Sequence, residues 1–209
     1  KAISIVQFKL EAETIKRRPD FDMADRLLLD KVDFDRNVIV IDGKEYEMTD
    51  TNFPTVDPKD PFRLTEDERT LVKKLHNSFV DSEKLRKHMD AMFRNGCIFN
   101  VVNGNLLYHA SIPLNADGTL KDVAIQGRKY HGKSLLKKVG ALIREAYFGA
   151  DDGSDNSFAM DYVWYLWCGK DSPAFDKDKM ATFERYFIKD KATHKETKGY
   201  YYTLRDSEE

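Results

Sequence analysis

The stretch that most narrows the choice of fold is Val38-Ile39-Val40-Ile41, followed without a gap by Asp42-Gly43 and then by Lys44-Glu45-Tyr46-Glu47-Met48. A β-branched run, a two-residue turn and an alternating return strand specify a β-hairpin by local signals alone. The pattern recurs downstream. Cys97 to Val102 reads as a strand, Asn103-Gly104 as a turn and Asn105 to Ile112 as the return strand. Asp117-Gly118 marks another turn, and Gln126-Gly127 centres a small hairpin within 123–130. Amphipathic segments of helical period lie between these hairpins, so the expected class is α+β, mixed along the whole chain.

The first of those segments, residues 2–13, carries Ile3, Val6 and Leu10 at helical spacing with Ile5 beside them. No Ser, Thr, Asp or Asn precedes it as a cap, and the acidic tail 204–209 stops without a C-cap. Both features raise the expectation of a piece of something longer. Lys16-Arg17-Arg18-Pro19 forms a basic turn, because proline discourages helix at the residue before it. Residues 23–30 read as a short helix, and 49–63, with Pro54, Pro58 and Pro61, as an extended loop. Thr65 and Glu68 make a capping box for a long helix over 65–93. Its apolar stripe runs Leu71, Leu75, Phe79, Leu85, Met89 and Met92, with Gly96 as the stop and Ser78, Ser82 and Glu83 as points of interruption. Leu135, Val139, Leu142 and Ala146 define a helix over 133–148. A polar break over 149–157, an aromatic segment over 160–168 and a helical or mixed element over 179–188 complete the chain.

Charge excludes some partners. Lys and Arg number 34 against 36 Asp and Glu, a net −2 that gives no long-range attraction to nucleic acid or to an anionic membrane. No apolar run reaches the roughly 20 residues that span a bilayer, and no signal peptide is legible. Two cysteines, Cys97 and Cys168, are too few for a disulfide framework. A reducing, cytoplasmic setting is expected.

Of the five histidines, His76 and His88 stand twelve positions apart on one helix, too far to share an ion, and His131 and His194 sit in polar turns. His109 differs, because it lies near the end of an apolar strand leading into a loop, where ligands collect in α/β sheets. Strand alternation would put Leu107, His109 and Ser111 on one face. Read locally, such a histidine is more often a core residue satisfied by a hydrogen bond than a metal ligand. Lys16-Arg17-Arg18 is either a solvated turn or a phosphate clamp. Glu184-Arg185, within aromatics, is either a structural pair or an anion site. The run Tyr162 to Trp167 reads as core.

Longer strings carry a resemblance. LHNSFVDSEKLRKHM (75–89), NGNLLYHASIPLNADG (103–118), DYVWYLWCGKDSPAF (161–175), MATFERYFIKDKATHKE (180–196) and GYYYTLR (199–205) resemble class III fructose-1,6-bisphosphatase, as do KAISIVQFKLE and IKRRPDF at the start. These are bacterial enzymes with a calcineurin-like metallophosphoesterase core. The family's D-x-H, GDxxDRG, GNHD and GHTP motifs are not in this sequence, so no catalytic residue is expected here. The resemblance implies a longer parent that hydrolyses fructose 1,6-bisphosphate to fructose 6-phosphate and phosphate in gluconeogenesis, using two divalent metals, manganese by preference. It implies that His109 binds one metal, with Ala110 where the family has glycine. Substrate phosphate would fall to Arg185, reached from a relic of an LWSDP motif at Leu166-Trp167-Cys168-Gly169, and to Arg17 and Arg18. Residues 97–209 would be part of a β-sandwich core with helices. Residues 1–96 would be a helix-and-hairpin segment, an insert or regulatory piece. The expected partners are a sugar bisphosphate and a second copy of the parent, with no nucleic acid and no membrane. The rival readings are a regulatory or oligomerisation region, and a metallophosphoesterase for another phosphate ester.

Overall fold

The computed structural model describes residues 1–149 and 155–206. Most of the expected polar break over 149–157 lies outside the described residues, and so does the end of the acidic tail. The chain forms two compact units, one of residues 1–83 with 181–195 and one of 84–180 with 196–209.

In the first unit, helix α1 (Ala2–Arg17) runs four residues past the sequence expectation and ends where Pro19 forbids continuation. Its buried face is Ile5, Val6, Ala12 and Ile15, and Ile3, expected on the apolar stripe, is exposed. Residues 19–31 form three 3-10 turns in place of one short helix. Leu27-Leu28-Leu29 is a run without helical period, which suits tight three-residue turns. Strands β1 (Val32–Asp33), β2 (Val38–Ile41) and β3 (Lys44–Glu47) make an antiparallel sheet in the order β1-β2-β3. Asp42 and Gly43 both take positive φ, the type I′ pattern whose twist matches the strands. Ile39 is fully buried and Val40 exposed, as alternation requires.

Residues 181–195 return to this unit. Helix α6 (Thr182–Phe187) puts Phe183 and Phe187 into a core with Ile5, Leu29, Ile39, Met48 and Phe53, and the Phe53 and Phe187 rings sit 4.9 Å apart. Helix α2 (Glu66–Val80) starts on the expected capping box, Thr65 Oγ1 accepting from the Glu68 N–H while Glu68 Oε2 accepts from the Thr65 N–H. The expected single helix stops at Val80, and α3 (Glu83–Asn95) begins after Asp81 and Ser82. Serine and aspartate there offer the backbone local alternatives to helix. The stripe residues Leu71, Leu75 and Phe79 are exposed.

In the second unit, α4 (Gly132–Phe148) and α5 (Ser157–Cys168) pack together and bury Leu135, Leu136, Val139 and Leu142 from one, and Ala159, Tyr162, Tyr165 and Leu166 from the other. The aromatic segment is thus core on one face, while Val163 and Trp167 are exposed. Two separate hairpins accompany them. β4 (Phe99–Val102) pairs with β5 (Asn105–Tyr108), and β6 (Val123–Ile125) with β7 (Arg128–Tyr130). A short helix, α7 (Tyr201–Leu204), presents Tyr201 to Tyr108, hydroxyl to hydroxyl at 2.5 Å. The class is α+β. No described helix is long and apolar enough to cross a membrane.

Candidate functional site

The strand expected to run to Ile112 ends at Tyr108. Ala110 takes φ +61, which breaks the alternation and turns the chain out of the ladder. The Ser111 N–H then donates to Pro173 O at 3.0 Å. Leu107, His109 and Ser111 therefore do not share a face. Ser111 is fully buried, whereas Leu107 and His109 are exposed. Ser111 and Asp176 are both buried, and burial pushes the Asp176 carboxyl above its ordinary range against the opposing interaction with the Ser111 hydroxyl.

An L-residue in the left-handed region costs about 1–2 kcal/mol, part of which glycine returns as unfolded-state entropy. Ala110→Gly is accordingly expected to raise stability by about 1 kcal/mol, read as a higher urea midpoint at unchanged slope. A lower midpoint would mean that the methyl group packs well enough to outweigh the strain.

His109 is held by its own N–H, which donates to Ile98 O at 3.3 Å, so the base of the β4–β5 hairpin fixes its position. It lines a cavity of about 620 Å³ together with Phe93 of α3, Phe99 of β4, Leu136 and Gly140 of α4 and Leu166 of α5. The walls are mainly apolar. The polar groups are few: His109, Lys137 and Arg144, with the thiol of Cys97. Arg144 is committed elsewhere, its Nη1 donating to Phe93 O at 2.6 Å and its Nη2 to Gly96 O at 2.9 Å, where it satisfies carbonyls at the end of α3. Lys137 and Arg144 did not stand out as site residues in the sequence. Their spacing of seven on α4, two turns along one face, is the signal that would have found them.

Among the described residues no three His, Cys, Asp or Glu side chains gather closely enough to hold a metal. One imidazole beside an apolar cavity can supply a single donor and no more.

The candidate arginines belong to the first unit and His109 to the second. Arg17, exposed in the last turn of α1, donates to Thr14 Oγ1 at 3.1 Å, and Arg18 is the half-buried residue that ends the helix. Arg185 is exposed on α6, with a long 3.5 Å contact to His194 O. Glu184 is paired with Arg26, which grips both carboxylate oxygens at 2.8 and 2.9 Å. Neighbours on a helix point to different sides, so Glu184 faces the core while Arg185 faces out. The other histidines take structural or solvated places. His131 meets Asp122 at 2.9 Å before α4, His194 meets Ile188 O at 3.0 Å, and His76 and His88 are exposed.

Comparison with known proteins bears on all 209 residues. A family profile described as Firmicute fructose-1,6-bisphosphatase matches residues 1–209. A Phocaeicola vulgatus protein named fructose-1,6-bisphosphatase class 3 is 65% identical over the whole chain, which covers 31% of it. Proteins of the same name from Bacteroides fragilis and Clostridium tetani are 63% and 53% identical, and the chain covers 32% of each. The chain therefore spans about a third of the length of these relatives. No solved structure matches. With every one of its residues inside the family match, the chain belongs to the Firmicute fructose-1,6-bisphosphatase family.

Proposed function

We propose that this chain is one part of a longer class 3 fructose-1,6-bisphosphatase, which hydrolyses fructose 1,6-bisphosphate to fructose 6-phosphate and phosphate, and that His109 is its contribution to the metal centre. The observation that carries the reading is identity of 53–65% over the whole chain to proteins of that name. Support for His109 comes from its place, exposed just past the end of β5 on the wall of a cavity. Residues 97–209 would then belong to the metallophosphoesterase core and 1–96 to an insert.

The two-metal centre implied by the family does not fit this chain alone, because the described residues offer no convergent donor set. Manganese, the remaining ligands and the attacking group's activation would depend on the rest of the parent. What this chain does is hold one imidazole in place through the His109–Ile98 backbone bond. Arg17 and Arg185, both exposed, and half-buried Arg18 are the proposed phosphate contacts by charge. A reducing, cytoplasmic setting agrees with two free cysteines. The regulatory reading gains from Met92 and Phe93, through which α3 contributes to the cavity wall beside the strand end.

In the full-length parent, His109→Ala is expected to lower bound metal and to cut phosphate release by on the order of 100-fold or more. The isolated chain, given manganese and fructose 1,6-bisphosphate, is the control and should release none. Unchanged metal content and turnover in the variant would remove His109 from the centre.

A further inference from the structure

The β4–β5 hairpin exposes large apolar side chains on both faces, one of which also carries Asn100 and Asn105. Val101 and Leu106 oppose one another on one face, Val102 and Leu107 lie on the other, and all four are 44–57% exposed. A hairpin meant to face water on one side alternates apolar with polar, and a strand apolar on both sides belongs inside a larger sheet. An isolated two-stranded hairpin is also marginal in water.

The backbone says which edge is open. Asn103 and Gly104 both take positive φ in a two-residue loop, so Val102 and Asn105 form a hydrogen-bonded pair, as do Asn100 and Leu107 two steps on. The His109–Ile98 bond continues that alternation. Phe99, Val101, Leu106 and Tyr108 therefore turn their backbone groups outward. On β4 one of the two outward N–H groups, that of Val101, is already satisfied, at 2.8 Å, by the side chain of Asn100. On β5 the N–H groups of Leu106 and Tyr108 have no backbone partner among the described residues.

We propose that the outer edge of β5 is a docking edge, covered by an apolar strand from the remaining two-thirds of the parent polypeptide. The occupant is argued from length. The chain makes up only 31–32% of its relatives, so roughly twice its own length arrives in cis. A segment tethered in cis has an effective concentration that a second molecule cannot match. The added strand would extend the sheet beside His109 and bury Leu106 and Leu107. This inference rests on the chain being part of a longer family member and is independent of the metal role of His109.

The test is residue-resolved hydrogen exchange in the full-length enzyme, with an internal control. Asn105 and Leu107 point their N–H groups at β4, so they are protected by the hairpin itself. If β5 gains a strand, Leu106 and Tyr108 will exchange as slowly as their neighbours, on the order of 10³-fold slower than an unfolded chain, at every protein concentration. Exchange of Leu106 and Tyr108 near the unfolded rate, with Asn105 and Leu107 still slow, would leave the edge open and overturn the proposal. Protection that disappears on dilution would assign the edge to a second copy and overturn it equally. Because the readout is backbone protection, it is unaffected by whether His109 binds metal.

Discussion

Replacing Arg26 by methionine is expected to destabilise the first unit by about 3–5 kcal/mol, the usual cost of stranding one half of a buried ion pair. The Glu184 side chain is 1% exposed, and Arg26 covers both of its oxygens from a side chain that is itself 14% exposed. Burial disfavours the guanidinium charge, but the Glu184 carboxylate more than compensates, so the Arg26 pKa rises. The pair joins a 3-10 turn near the start of the chain to α6, across 158 positions. Removing the arginine strips both of these charge-assisted bonds from a carboxylate that is closed off from water. Loss on this scale is a large share of the roughly 5–15 kcal/mol that holds a domain together. The urea midpoint should fall steeply. Adding Glu184→Leu should restore most of it, because an apolar pair of similar volume costs little where an unpaired charge costs much. Similar midpoints for Arg26→Met and the parent sequence would mean that water reaches Glu184.

Lys9→Met should have an effect of comparable size with a distinct pH signature. Lys9 is fully buried, with its ammonium 2.8 Å from Glu68 Oε2 and 2.6 Å from Thr55 O. Glu68 also closes the capping box of α2, so this one carboxylate serves a helix terminus and an ion pair together. Burial pushes the Glu68 carboxyl up, but hydrogen bonds from Lys9, Thr55 and the Thr65 N–H outweigh it and hold the pKa below its ordinary value of 4.5. A carboxyl depressed in the folded state adds stability above its unfolded pKa, and that stability is lost as pH falls through the folded value. Without Lys9 the largest of the lowering causes is gone, so burial is opposed only by the bonds from Thr55 and Thr65 and the folded pKa rises. The cost of the substitution, about 3–5 kcal/mol at neutral pH, should therefore shrink as the pH drops toward 4. A difference from the parent sequence that stays constant between pH 7 and 4 would show that the loss is one of packing alone.

Both pairs were invisible in the sequence for the same reason. Periodicity reports which face of an element is apolar, and nothing in it links Lys9 to a glutamate 59 positions away. Glu184 was read beside Arg185 because adjacency is all that a sequence displays. The hairpins were legible because their chemistry is local. Asp42-Gly43, Asn103-Gly104 and Gln126-Gly127 each adopt positive φ at both residues, as two-residue turns demand. The capping box at Thr65 was legible on the same grounds. The 65–93 helix was harder, since the stripe through Leu71, Leu75 and Phe79 is real while its break at residues 81–82 depends on local competition for backbone bonds. That stripe and the β4–β5 faces also show that a pattern can announce an apolar surface without saying what covers it. His109 stood out by its place near a strand end, and the ordered family strings added the metal role; that place was only half foreseen, because Ala110 leaves the ladder sooner than alternation suggested.

The return of residues 181–195 to the first unit has a consequence for synthesis on the ribosome. Met48 bridges to Ile188, and the Thr49 N–H donates to Phe187 O at 2.8 Å, so the β3 end of the sheet has no finished neighbour until the chain has grown past α6. At about 5–20 residues per second, the roughly 100 residues between 83 and 181 take about 5–20 s to emerge. Throughout that interval Ile5, Leu29, Ile39 and Phe53 lack the aromatic groups that complete their core. Residues 1–83 of the nascent chain are then a natural client for a chaperone that binds apolar surface. Codon usage across 84–180 would set how long that exposure lasts.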